Sequence, residues 1–301
     1  MLKSIGLTKA FAQFVLMVAH SSGSDNNPYQ SSLNCGACGG NDGIPNTIVI
    51  CQALNNLNVR KLLAERFEIM IPNDTFFVSS CHNTTTDQLT FFNLDNLPST
   101  ATKQFKQIEN DCLMAGELLR KERLSSLPGN NSINSRTSNW AELVPELGLA
   151  NNAAFIVGPR ALTQGINLDR RTFLHSYEPS EDQDGSILTF ILSAPVLVGH
   201  LINSQYYFST TDQGLFASGN KAIHNITGGF GVMEGNFSDH KIGLPTQSIE
   251  YHGKKLHQPL RLLLIVYATK KFVESALMKS PQINALVKGN WIHLKVIEPS
   301  T

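Results

Sequence analysis

Apolar residues fall in short, nearly continuous runs, separated by polar, glycine-rich stretches and by segments of helical spacing. Phe11–Ala19 is the first run, and it has the pattern of a parallel strand covered on both faces. Phe67–Ile71, Thr75–Cys81, Ala153–Val157 and Leu262–Ala268 also read as strands, while Trp291–Ile297 alternates like a closing edge strand. Pro45 suits the first turn of a helix over 46–66. Between Thr100 and Leu124, Phe105, Ile108, Cys112, Ala115 and Leu119 recur at spacings of three and four, one apolar stripe with Cys112 buried in it. Trp140–Leu147 reads as a short helix and Lys270–Leu286 as one or two. Strands alternating with helices predict an α/β fold, a mostly parallel sheet flanked by helices. Ser125–Ser138, rich in Ser, Asn, Pro and Gly, predicts a mobile linker. Asn167–Gly185 reads as a charged loop.

Two segments have a membrane-like pattern. Residues 1–19 carry Lys3 and Lys9 before an apolar run, as a signal peptide does. Cleavage near Ala19 would leave His20 at a frayed terminus. Gly185–Thr211 holds no Asp, Glu, Lys or Arg and is long enough to span a bilayer. Its Pro195, His200, Asn203 and Gln205 favour a buried helix kinked at Pro195 over lipid exposure.

Charge narrows the function classes. The chain has 301 residues with 24 Lys+Arg against 24 Asp+Glu. No basic excess or stripe points to nucleic acid. The five cysteines, Cys35, Cys38, Cys51, Cys81 and Cys112, are odd in number and irregularly spaced, which fits a reducing compartment better than a disulfide framework.

The candidate chemistry lies between His20 and Gly40. An apolar strand delivers His20 into a loop rich in Gly and Asn, and Cys35 and Cys38 follow in that loop. Ligand sites of open α/β sheets sit just past the carboxyl ends of such strands. Imidazole nitrogen and thiolate sulfur are zinc ligands, so His20 and Cys35 are the candidate metal ligands. Two ligands do not complete a zinc site. Cys35-x-x-Cys38 also admits a redox pair, although its place deep in a loop is unlike a thioredoxin motif. Cys81 and His82 end another strand, where adjacent residues point to opposite faces; a hydrogen-bonding role for His82 and Asp87 is the favoured reading. Arg160, past a strand end, meets either an anion or a carboxylate. Gly229-x-Gly231 does not complete a dinucleotide fingerprint.

The ordered motifs HSSGSDNNPYQSSLNCGACGG, HNTTTD, FIVGPR, FLHSYE, INSQYYFSTTD, HNITGGFGVMEG and GLPTQS resemble the C-terminal half of the DabA family. That resemblance runs through nearly the whole chain. It implies the soluble subunit of an energy-coupled inorganic-carbon pump. Fold and site would be β-carbonic-anhydrase-like, here incomplete, with Zn2+ held by two Cys, one His and one Asp. His20 and Cys35 match the family's zinc histidine and second zinc cysteine in type and in spacing. The implied reaction is hydration of CO2 to bicarbonate by hydroxide on zinc. A DabB-like membrane subunit is the implied partner, with the protein peripheral on the cytoplasmic side of the inner membrane. The family's other two ligands lie in a C-x-D-x-R motif that none of the five cysteines begins, and Ala19 and Ser21 stand where glycines usually flank the histidine. The chain therefore carries half of the family's zinc site. Either a separate N-terminal-half polypeptide supplies the rest, or the chain is an inactive remnant, or it is a non-catalytic zinc-binding or CxxC redox module.

Overall fold

The structure is a computed structural model that describes residues 1–23, 25, 34, 40–125, 132–139, 149–220, 241, 243–251 and 253–299. The chain divides into two compact units, one of Thr8–Gly148 with Ser218–Ser248 and one of Met1–Leu7, Leu149–Ala217 and Ile249–Thr301. Among the described residues each has its own main sheet, in place of the one expected from the sequence, and the second also holds a two-stranded ribbon of Glu250–Tyr251 with Lys254–Lys255.

In the first unit the strands are β1 (Phe14–Ser21), β2 (Phe76–Asn83) and β3 (Gln88–Phe92). Their order is β1-β2-β3, with β1 and β2 parallel and β3 antiparallel to β2. β1 is an edge strand. Of its residues only Ala19 is buried and Val18 is 51% exposed, against the expectation of a strand covered on both faces.

The helix expected over 46–66 is broken into α1 (Ile44–Asn55) and α2 (Leu57–Phe67). Asn56 takes an extended backbone, and its side-chain oxygen accepts the N–H groups of Asn58 and Val59, capping α2. Glu68 then turns left-handed at φ 58°, which ends α2 and prevents the strand expected at Phe67–Ile71. Ile69 and Ile71 are buried without being in a strand.

The β2–β3 hairpin was not visible in the apolar pattern. Its turn is built by Asn83, whose side chain accepts the N–H groups of Thr85 and Thr86, and by Asp87 at φ 55°. Helix α3 (Ser99–Leu124) packs Phe105 against Phe14 and Phe91, at ring separations of 5.4 and 5.1 Å. Its inward face then leaves the expected stripe. Ala115 is exposed and Cys112 only half-buried, while Gly116 and Arg123 are buried. Within the expected linker, Ile133–Thr137 is a helical turn with Ile133 and Arg136 buried, so 132–138 is not a free tether.

The second unit holds a fully parallel sheet. Its strands are β4 (Ala154–Gly158), β5 (Thr172–Ser176), β6 (Leu262–Tyr267) and β7 (Ile292–Ile297), in the order β5-β4-β6-β7. β5 lies in the segment read as a loop. Leu262, Leu264 and Val266 of β6 are fully buried, with Leu188, Ile191, Leu192 and Val196 against the same core. The charge-free helix runs from Ser186 to Thr211 as α4 (Ser186–Ile191), a π turn at Leu192–Val196 and α5 (Leu197–Thr211). Pro195 has no N–H to donate, and the wider turn absorbs it. Asn203 is buried and donates to Asn152 Oδ1 and the Leu260 carbonyl, so this polar residue of the helix serves the interior. Among the described residues this is the one helix long and apolar enough to cross a membrane. Helices α6 (Lys270–Lys279) and α7 (Pro281–Lys288) lead into β7.

Candidate functional site

The carboxyl ends of β1 and β2 carry the candidate site. His20 pairs in register with His82, and Ala19 with Cys81. In a parallel pair, partners in register share a face. One face meets α1: Thr47 and Ser79 hydroxyls are 2.8 Å apart, and Gly43 lies so close that a Cβ there would be 3.2 Å from that of Ala19. Cys81 belongs to this face, buried, with its thiol 3.2 Å from Ser21 Oγ. Burial pushes that thiol's pKa up, the Ser21 hydrogen bond opposes this, and the Asp42 charge adds to the rise. Cys81 is a structural thiol. The opposite face carries Phe14, His20 and His82 and meets α3.

On that second face the β2–β3 turn is clamped. Arg123 donates from one nitrogen to Asp87 Oδ2 at 2.6 Å and to the Thr84 carbonyl at 2.9 Å. Arg120 donates to the Thr86 carbonyl at 3.0 Å. Gly116 lets the helix approach, since a Cβ there would sit 2.5 Å from the Asp87 carbonyl oxygen. The Asp87 carboxylate also pairs with His82 Nε2 at 3.2 Å. Burial raises its pKa, but the His82 hydrogen bond and the Arg123 guanidinium outweigh burial and hold it below the usual carboxylate range. The hydrogen-bonding reading of His82 and Asp87 is therefore the one that holds. A carboxylate that fixes an imidazole orients its other ring nitrogen.

His20 sits one strand away, exposed. No described residue hydrogen-bonds its ring. The chain returns to this strand end at Asn34, whose Oδ1 accepts the Ser22 N–H at 2.8 Å and its hydroxyl at 2.9 Å. Gly23 N–H donates to Thr85 Oγ1, which joins the β1 exit to the clamped turn. Asn34 precedes Cys35 in sequence; Cys35 and Cys38 lie outside the described residues, so the geometry of the His20–Cys35 pair does too. An exposed imidazole at a parallel strand's carboxyl end, with a thiolate as second donor, suits one side of a zinc site. Among the described residues no three His, Cys, Asp or Glu side chains cluster as a metal site.

Other candidates resolve more simply. Cys51 is buried and its thiol is pushed up to about 11 by burial, as a core cysteine. Arg160 donates to Ser176 Oγ and the Leu174 carbonyl, and among the described residues no carboxylate pairs with it. Gly229, Gly231 and the Trp140–Leu147 helix lie outside the described residues. Sequence reasoning missed Arg123, a charged residue in the last turn of α3, and missed Ser22 and Asn34, which had no signal beyond loop composition.

Comparison with known proteins identifies the setting. The family described as "Probable inorganic carbon transporter subunit DabA" matches residues 1–292. A relative of that name from Aquifex aeolicus is 42% identical over 309 residues, covering 100% of this chain and 31% of its own length. One from Halothiobacillus neapolitanus is 43% identical over 311 residues, covering 100% of this chain and 30% of its own. A Legionella pneumophila relative is 43% identical over 303 residues, covering 99% of this chain and 40% of its own. The chain thus spans roughly a third of the length of these relatives. No solved structure matches it. A family match that runs almost end to end leaves one conclusion: the chain belongs to the DabA family.

Proposed function

We propose that this chain contributes the His20–Cys35 side of a zinc centre in a subunit for inorganic-carbon uptake. The relatives are named as inorganic carbon transporter subunits. The observation that carries the reading is the strand end itself. His20 is presented there exposed, and Ser22 holds Asn34, the residue before Cys35, against the same end.

The remaining donors, the Cys and Asp of a C-x-D-x-R motif, come from family sequence outside these 301 residues. The assembled centre is β-carbonic-anhydrase-like, and its substrates are CO2 and bicarbonate. Bound zinc would supply a Lewis acid able to bring the pKa of a water toward neutrality. This chain's residues bind and position: His20 and Cys35 as ligands, Ser22 and Asn34 closing the loop, and Asp87 fixing the His82 ring beside His20. A DabB-like membrane subunit is the partner, with this protein peripheral on the cytoplasmic side of the inner membrane.

Elemental analysis tests the reading. The chain alone holds little zinc. Co-expressed with the rest of a family-length relative, the complex holds one zinc per pair. Cys35→Ser and His20→Ala abolish that zinc while Cys112→Ser leaves it. Full zinc in the lone chain, or zinc that survives Cys35→Ser, overturns the ligand assignment.

A further inference from the structure

The helix from Ser186 to Thr211 has two faces, and neither is charged. The inner face buries Leu188, Ile191, Leu192 and Val196 in the core of the second unit. On the outer face Phe190, Val198 and Leu201 are exposed, Leu201 by 50%. With the half-buried Ala194 and Gln205 they follow one another at spacings of three and four, and the stripe runs on to Phe208. A surface helix ordinarily turns charge toward water. This one has no Asp, Glu, Lys or Arg in its 26 residues.

Phe208 opens an aromatic cluster in the same unit. Its ring lies 5.4 Å from Phe216 and 5.5 Å from Trp291, and Tyr207 lies 6.0 Å from Trp291. The Arg261 guanidinium sits over the Trp291 ring at 4.4 Å. In the helical turn Gln213–Phe216, Leu215 is 70% exposed and Phe216 is exposed beside it. Gln213 donates to Glu250 at 3.0 Å, which brings the ribbon with the exposed Lys254 and Lys255 to this turn. Glu250 is held by that bond, and the Asp212 carboxylate accepts the Leu215 N–H. Both carboxylates are thus taken up by the fold, while Arg261, Lys254 and Lys255 face water.

We propose that this surface, from Phe190 to Leu215 and Phe216, rests on an anionic phospholipid bilayer. The helix lies in the plane of the interface and does not cross it, because its other face is core. Trp and Tyr favour headgroup depth, and Lys and Arg lay their stems on apolar surface with the charge toward phosphate. An uncharged stripe ending in exposed Leu and Phe, ringed by these residues, has the chemistry of an interfacial anchor. A protein-binding patch has a polar rim of either sign; the exposed charges here are positive, as phosphate headgroups require. The inference gives a surface to the peripheral location proposed above, which a membrane subunit alone would also satisfy.

The test uses the 301-residue chain, without a partner, and vesicles of phosphatidylcholine and phosphatidylglycerol in equal parts. The chain floats with the vesicles. Leu215→Asp combined with Phe216→Asp lowers the partition constant at least about 10-fold, and Arg261→Gln lowers it about 5-fold. Met70→Asp, at a more exposed apolar residue of the other unit, leaves it unchanged. In a Trp140→Phe background Trp291 is the sole tryptophan, and its emission shifts to the blue and is quenched by brominated acyl chains. If the double variant fails to fold, as its melting curve shows, Leu215→Asp alone decides. A folded chain that stays off the vesicles, binds them equally after Leu215→Asp, or keeps Trp291 out of reach of brominated lipid overturns the proposal. Failure here is distinct from failure of the earlier reading. A chain that reaches membranes only through a membrane subunit loses this surface and keeps the peripheral location, and vesicle binding without zinc in the reconstituted pair does the reverse for the metal.

Discussion

The two sheets of this chain are finished to different degrees. In the parallel four-stranded sheet the centre strand β6 buries Leu262, Leu264 and Val266 completely, and each edge is short or carries a lysine. In the three-stranded sheet the most apolar strand is at the edge, and Val18 stands half in solvent. Burial there is concentrated on β2 and α3, where Phe77, Val78 and Phe105 are buried, and polar clamping is added to it. Arg123, Arg120 and Asn83 hold the β2–β3 turn by hydrogen bonds to backbone and to Asp87. One unit is stabilised mainly by its core. The other adds ordered polar groups that hold the β2–β3 turn.

The largest effect should come from the clamp. Arg123→Met leaves the Asp87 carboxylate buried without its ion partner, and breaking such a pair costs about 3–5 kcal/mol. Urea denaturation of the first unit, followed by exchange of the β2 amides, should show it. Next, Leu264→Ala in β6 should cost about 2–5 kcal/mol, as a fully buried leucine does, whereas Val18→Ala in β1 should cost under about 0.5 kcal/mol. Equal losses would erase the contrast between the sheets. The smallest effect is one of pH in the second unit. His257 is fully buried, and burial, with the Arg171 charge, lowers its pKa from 6.5 to about 4. The folded state thus holds a neutral ring that the unfolded chain protonates first. Its stabilising share is complete above pH 6.5 and falls away as pH drops toward 4, by roughly 2–3 kcal/mol. His257→Gln should flatten the stability slope across that window, and an unchanged slope would assign it to other groups.

Much of this architecture was legible because burial writes itself into period. The strands at 154–158, 262–267 and 292–297 and the long helix at 99–124 follow from apolar spacing alone. The failures have local causes. Asn56 breaks one helix into two by capping the second, and a cap is a side-chain event invisible to hydrophobic period. Ile69 and Ile71 are apolar because they are buried, while Glu68 in the left-handed region sets the chain's path. β5 was missed because Thr172–Ser176, TFLHS, is short and flanked by charge. At the candidate site, residue types and spacing singled out His20 and gave His82 and Asp87 a hydrogen-bonding role, which their mutual contact fills. They could not show Arg123 beneath that contact, because its partner lies on an element 36 residues away.

An unblunted strand also has consequences for anyone who handles this polypeptide, or any cell that makes it. Open N–H and C=O groups at every second residue of a strand that begins with six apolar residues template more of the same, so copies with that edge uncovered are nuclei for fibres. Made without cover for that edge, the polypeptide would show it first as precipitate.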